Sequence, residues 1–217
     1  LYMHPAVPNK TVVDTYYEPY VKDFPALLNA GWGFTVETAT QGIRIVLSGV
    51  LEKYPDCNII LGHLGEGLPF LLWRIDHSLS RPGNKSLSFR EVFSRNFHIT
   101  TSGNFSDPAL MCSIAEMGAD RILFSVDYPF VPNAPGMDWI ERVHLNAEDK
   151  AKILNGNAKR LLKLLLHFFF SYFFRFCLSK KSVYIQCLFN GRLPCFSSPG
   201  SSSLFALFIF EGIYFLT

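Results

Sequence analysis

The sequence predicts an α/β fold on a parallel sheet, the half of an eight-stranded β/α barrel, with an irregular hydrophobic tail behind it. Three observations predict this. Short apolar runs that read as buried strands recur through residues 1–164, helical stretches separate them, and three of the runs end in a ligand-capable side chain: His4 in LYMHP, His63 in IILGHLGEGLPF and Asp127 in ILFSVDYPF. Parallel strands covered on both faces are apolar throughout, and residues at their carboxyl ends point into the mouth of a barrel. Because the chain opens inside the first of these strands, the other half of the barrel and of its site is expected to be absent.

The elements follow in order. LYM before His4 is the first strand, and Pro5 holds the histidine extended at its end. From Gly33 to Val50 the apolar positions Ala39, Ile43, Val46, Leu47 and Val50 recur at helical spacing, with Glu37 near the positive end of the helix dipole. Tyr54-Pro55-Asp56 stops that helix, and Asn58–Gly62 is the second strand. Leu68–Leu79 reads as a helix broken by Arg81-Pro82-Gly83-Asn84, and a short helix over Phe89–Phe93 leads into a strand at Phe97–Thr101. Pro108–Met117 is the next helix and Arg121–Val126 the last strand. Asn146 caps a helix from Ala147, and Asn157–Leu164 finishes it. Four β/α units in a row mean a parallel sheet. No glycine-rich phosphate loop follows a strand, which favours the half-barrel over a nucleotide-binding sheet.

At 217 residues with 49% hydrophobic content the chain has ample material for a core. A formal net charge of +2 gives no reason to propose nucleic acid as a partner. The charge is unevenly spread. Arg175, Lys180, Lys181 and Arg192 but a single acid, Glu211, lie beyond Leu164, so residues 1–164 are near neutral. Residues 165–217 form a Phe/Ser-rich, low-complexity stretch without helical or strand periodicity, expected to be a tail rather than a domain. A membrane span is unconvincing, because Lys163, His167 and Arg175 interrupt the apolar run Leu161–Leu178 and the second run, Ser203–Thr217, is short. Isolated cysteines without a CxxC pair fit a reducing compartment, the cytosol.

Five candidate site residues stand out by residue type and spacing. Neutral imidazole and carboxylate suit Zn²⁺ or Mn²⁺. His4 at a strand end is a metal ligand or an ordinary surface or core histidine. Asp127, after the apolar run ILFSV, would be costly to desolvate unless paired or bound to metal, so it is a ligand or a catalytic acid. Glu66, three residues past His63, could orient that imidazole and raise its basicity. The alternative is a tight Gly-His-Leu-Gly turn with Glu66 merely capping the next helix. Arg74 could reach an anionic substrate or simply pair with Asp76 or Asp138.

Taken together, LYMHP, GWGFTVETATQGIRIVLSGVLEKYPDCNIILGHLGEGLPFLLWRIDH, NFHITTSGNFSDPAL, GADRILFSVDYPF and NAKRLLKL resemble the amidohydrolase-related family, and within it the non-oxidative aromatic-acid decarboxylases. The likeness covers residues 1–164 and corresponds to the second half, about strands 5–8, of the family's TIM-type barrel. It implies a carboxy-lyase acting on a hydroxylated aromatic acid, with a divalent metal, Zn or Mn, and no organic cofactor. It implies His4 and Asp127 as metal ligands, Asp127 also as the proton donor, His63 as the catalytic histidine with Glu66 as its acidic partner, and Arg74 as a substrate-binding group. It also suggests homo-oligomers.

One departure matters. The family's first strand carries a Glu/His metal pair, and this sequence has none, so the chain is expected to be a truncated and inactive form. The competing readings are a hydrolase of the same superfamily opening a lactone or amide, and a catalytically dead fragment.

Overall fold

The structure, a computed structural model of the chain, describes residues 1–85 and 87–164; the Phe/Ser-rich tail expected at 165–217 lies outside them. Residues 1–157 belong to one compact unit, and a second begins at Ala158. No described helix is long and apolar enough to cross a membrane.

The sheet has four strands, β1 (Tyr2–Met3), β2 (Ile59–Leu61), β3 (Phe97–Thr100) and β4 (Ile122–Leu123), paired in sequence order. All three pairings are parallel, with Met3, Leu61, Ile99 and Ile122 in one register row. Successive side chains alternate between faces. Ile59, Leu61, Phe97, Ile99 and Ile122 therefore join the hydrophobic core, beneath the helices α1 (Gly33–Leu47), α2 (Leu68–Leu79), α3 (Phe89–Asn96) and α4 (Asp107–Met117). Tyr2, Ile60 and His98 form a row on the opposite face.

Local chemistry explains the boundaries. Ser88 and Ser106 accept from the backbone N–H of Glu91 and Ala109 and so start α3 and α4. Phe89, Phe93 and Phe97 stack in succession, at 5.9 and 4.4 Å between centroids, and carry α3 directly into β3. The amide of Asn96 donates to the carbonyls of Pro55 and Cys57, each at 2.8 Å, and fixes the approach to β2.

The structure departs from the sequence-based expectation in several places. The helix expected to run on to Val50 stops at Leu47, because Gly49 takes a left-handed φ of 74° before a separate turn at Val50–Lys53. Its buried face is Thr38, Gly42 and Val46, while Leu47 and Val50 are exposed. A side chain at position 42 would press on Leu68 Cδ1 at 3.3 Å, so glycine lets α1 settle against the neighbouring apolar layer. The last strand, expected through Val126, pairs only over Ile122–Leu123. Beyond it, side chains replace the ladder: Thr101 Oγ1 donates to the Ser125 carbonyl at 2.6 Å and accepts from the Ser125 N–H at 3.0 Å. Finally, α5 (Asn133–Arg142) follows β4 where no helix was expected. It is held by the fully buried Trp139, whose indole donates to Asp107 at 2.7 Å.

Candidate functional site

The carboxyl ends of β2, β3 and β4 gather the polar groups. Immediately after β2 the backbone enters a left-handed turn in which His63, Leu64, Gly65, Glu66 and Gly67 all have positive φ, from 49° to 75°. Such a conformation costs about 1–2 kcal/mol for each non-glycine residue. It is retained because Leu64 is buried in the core and the Gly65 N–H closes the turn on the Gly62 carbonyl at 2.7 Å. Residues three apart on a helical turn face the same way, whatever its hand. His63 and Glu66 thus meet, Nδ1 to Oε1, at 2.7 Å.

Asp127 approaches from the other side. It too has a left-handed φ, 72°, and its Oδ2 lies 3.6 Å from His63 Nε2. Gly103, with φ of 67°, backs onto it: a Cβ there would lie 3.6 Å from Asp127 Oδ2 and 3.2 Å from Val131. Asn104, just past β3, donates its amide to the His63 carbonyl at 3.3 Å. Beneath, the hydroxyls of Thr100, Ser102 and Ser125 form a buried chain with 2.6 Å links that ties the ends of β3 and β4 together.

Glu66 is almost wholly buried, yet both its oxygens are satisfied. Oε1 faces His63, and Oε2 accepts the Thr35 hydroxyl at 2.9 Å. Burial by itself would disfavour a charged His63. The carboxylates of Asp127, 3.6 Å away, and of Glu66, hydrogen-bonded to Nδ1, outweigh it by their negative charge and leave the imidazole pushed up to about 10. With no metal on Asp127, the two carboxylates favour the charged imidazolium of His63.

His4 follows β1 directly. Its Nδ1 lies 2.9 Å from the Pro5 carbonyl and its ring 6.2 Å from that of Phe130, so the segment after β4 reaches across to the β1 edge. An imidazole whose other nitrogen is held by a carbonyl is a common arrangement for a metal-ligating histidine. Among the described residues, however, no three His, Cys, Asp or Glu are grouped to hold an ion. The donor types of His4 and Asp127 suit a divalent cation; their number supplies part of a shell. His63, expected as the catalytic histidine, stands beside Asp127 and holds Glu66.

Arg74 is exposed on α2 and makes no ion pair with Asp76 or Asp138; Asp76 instead accepts the Arg90 backbone N–H at 2.9 Å. Phe105 packs against Trp139 at 5.5 Å, and Phe70 is 80% exposed. Three contributors escaped the sequence reading. Asn104 and Phe130 sit at strand ends, where position alone could have flagged them. Thr35 carries no local signal at all.

Comparison with known proteins places this geometry. The model of the family described as amidohydrolase matches residues 4–164. A γ-resorcylate decarboxylase of Rhizobium sp. (strain MTP-10005) is 46% identical over 145 residues, 64% of this chain and 44% of that protein. That of Rhodococcus jostii is 36% identical over 168 residues, 75% of this chain and 50% of its own. Among solved structures, a dihydroxybenzoic acid decarboxylase from Polaromonas sp. JS666, with bound manganese and the inhibitor 2-nitroresorcinol, superposes with TM-score 0.69 and 41% identity over 75% of this chain and 49% of that one. A 2,6-dihydroxybenzoate decarboxylase from Rhizobium gives 0.67 and 43%, over 75% and 50%. The chain spans about half the length of the relatives it matches.

Proposed function

The chain belongs to the amidohydrolase family, and from that premise we propose that residues 1–164 carry part of the active site of a metal-dependent, non-oxidative decarboxylase of a hydroxylated aromatic acid. The observation that carries the reading is the array Glu66–His63–Asp127, with contacts of 2.7 and 3.6 Å, beyond the carboxyl ends of β2 and β4, two strands of one parallel sheet separated by β3. Similarity to decarboxylases of resorcylate and dihydroxybenzoate supports the substrate class, a small aromatic carboxylate.

Decarboxylation of this kind needs a proton delivered to the ring carbon that bears the carboxylate. The carbon–carbon bond then breaks, its electron pair returns to the ring, and CO₂ leaves. Asp127 is suited to relay that proton, since its carboxyl stands at the open end of the array, partly exposed, and faces His63 Nε2. The proton passes from His63 Nε2 to Asp127 and from Asp127 to the ring carbon, and Glu66 holds the imidazole ring through Nδ1. Solvent restores the His63 proton, because its side chain is 26% exposed. His4 and Asp127 would hold the metal, Mn²⁺ or Zn²⁺, and when bound it would neutralise the phenolate and carboxylate oxygens of the substrate. Arg74 is assigned to the substrate carboxylate. The free Cys57 and Cys112 accord with a reducing, cytosolic setting.

The test is release of CO₂ from 2,6-dihydroxybenzoate by the chain joined to the half of a γ-resorcylate decarboxylase relative that it does not span, supplied with Mn²⁺, beside Asp127→Asn in the same form. Turnover in the parent and its loss in the variant supports the assignment. Equal turnover in both removes Asp127 as proton donor, and release of acid from a lactone or amide in place of CO₂ would favour the hydrolase reading.

A further inference from the structure

We propose that Thr35 is a positioning residue for His63, acting through the second oxygen of Glu66. The inference rests on the reading of His63 as the proton-handling group. It concerns a different question, namely what holds that group in place.

Glu66 stands on a backbone of positive φ, in a turn whose backbone hydrogen bonds run from the Gly65 N–H to the Gly62 carbonyl and from the Gly67 N–H to the Gly65 carbonyl. Nothing within the turn grips its carboxylate except His63 itself. A carboxylate held by one partner can rotate about its last torsion, which is broad for glutamate. The second grip comes from 31 positions away: the Thr35 hydroxyl donates to Oε2 at 2.9 Å while Oε1 faces His63 Nδ1 at 2.7 Å. With both oxygens engaged, the plane of the carboxylate is set. His63 must then present Nδ1 to Glu66 and Nε2 to Asp127.

Thr35 can do this because its own place is rigid. It lies in the first turn of α1, and the chain entering that helix is packed backbone to backbone. A Cβ at Gly33 would collide with the Leu28 carbonyl oxygen, and one at Gly31 would lie 2.8 Å from that of Ala26. These approaches admit only glycine. On the far side, Gly42 seats the middle of the helix against Leu68 and Leu61. The hydroxyl is thus delivered by an element clamped at its start and its centre. Its position near the positive end of the helix dipole also suits a carboxylate.

The experiment compares Thr35→Val, which keeps the shape and loses the donor, with Thr35→Ser, which keeps the donor and loses a methyl. The readout is the nitrogen and ring-proton NMR spectrum of ¹⁵N-histidine-labelled chain, with His63 assigned by its loss in His63→Asn. In the parent and in Thr35→Ser the His63 Nδ1–H gives one sharp, low-field resonance; in Thr35→Val it moves upfield and broadens as the carboxylate rotates. A His63 spectrum unchanged in Thr35→Val overturns the proposal. So does one altered equally in Thr35→Ser. Should Thr35→Val fail to fold, Thr35→Ala, which leaves space in place of the branched side chain, carries the same comparison. Where the chain releases CO₂, the turnover number of Thr35→Val falls about tenfold with KM little changed, the size usual for groups that orient a catalytic ligand from behind. Absence of CO₂ release from the chain joined to the missing half of a decarboxylase relative counts against the decarboxylase reading, while the NMR comparison still decides the role of Thr35.

Discussion

His63 and Asp127, 64 positions apart and on loops that follow strands separated by β3, face each other across 3.6 Å. Both occupy left-handed backbone, at φ of 49° and 72°. Side chains there leave the strand in a direction that ordinary β geometry would not give them. Strain of this kind persists where the surrounding packing over-determines it, and such places cluster at functional sites.

Glu66→Gln should lower the His63 pKa and weaken its hold on one ring orientation. The substitution removes the charge that lies 2.7 Å from Nδ1 while leaving a neutral acceptor in place. Histidine NMR titration checks it, and an imidazole that still titrates near 10 contradicts it.

Stability of the metal-free chain should fall with rising pH. The His63 pKa in the folded state, about 10, lies above its ordinary value of 6.5. The contribution is therefore fully present below pH 6.5 and is lost as pH rises through about 10, where the folded protein must also give up the proton. Urea midpoints at pH 6.5 and pH 10 measure this. His63→Asn should flatten the difference, and an unflattened profile assigns it to other groups.

Mn²⁺ binding should depend on both His4 and Asp127. Electron paramagnetic resonance of free Mn²⁺ reports it: the parent quenches the free-ion signal, and His4→Ala or Asp127→Asn restores it. Quenching equal to the parent's in either variant takes that residue out of the metal site.

Gly65→Ala should destabilise the fold and dislodge the His63–Glu66 pair together. Position 65 has φ of 75°, and a Cβ there would lie 2.9 Å from Ile99 Cγ2 and 3.0 Å from Pro69 Cδ. The left-handed backbone costs about 1–2 kcal/mol, and crowding the core adds about 1–3 kcal/mol. Urea unfolding gives the first effect and the His63 spectrum the second; a variant as stable as the parent would show that the turn is not packed as described.

Much of the fold was legible because its signals are local. Leu68–Leu79 matches the helix read from spacing, and the Asn146 cap accepts the Asp149 N–H at 2.8 Å as its residue type implies. The shortened β4 was not legible: the sequence ILFSV looks uniformly strand-like, and only the Thr101 hydroxyl, arriving from β3, ends the ladder. Helix α5 was missed because Pro132, Pro135 and Gly136 read as loop residues. In the structure Pro135 falls in the helix's opening turns, and Gly136 packs so closely that a Cβ would lie 2.6 Å from Val126.

The sequence by itself determined the order of the four strands, the segments after them that bear His4, His63 and Asp127, and the three-residue spacing that offers Glu66 to His63. Each of these follows from residue type and short-range spacing. Only the tertiary structure decided the left-handed turn that aims His63, its contact with Asp127, the approach of Phe130 to His4 and the anchoring of Glu66 by Thr35. Those depend on which distant surfaces pack together, and the sign of a backbone angle or a hydrogen bond across 31 residues is settled by that packing and not by the neighbours in the chain.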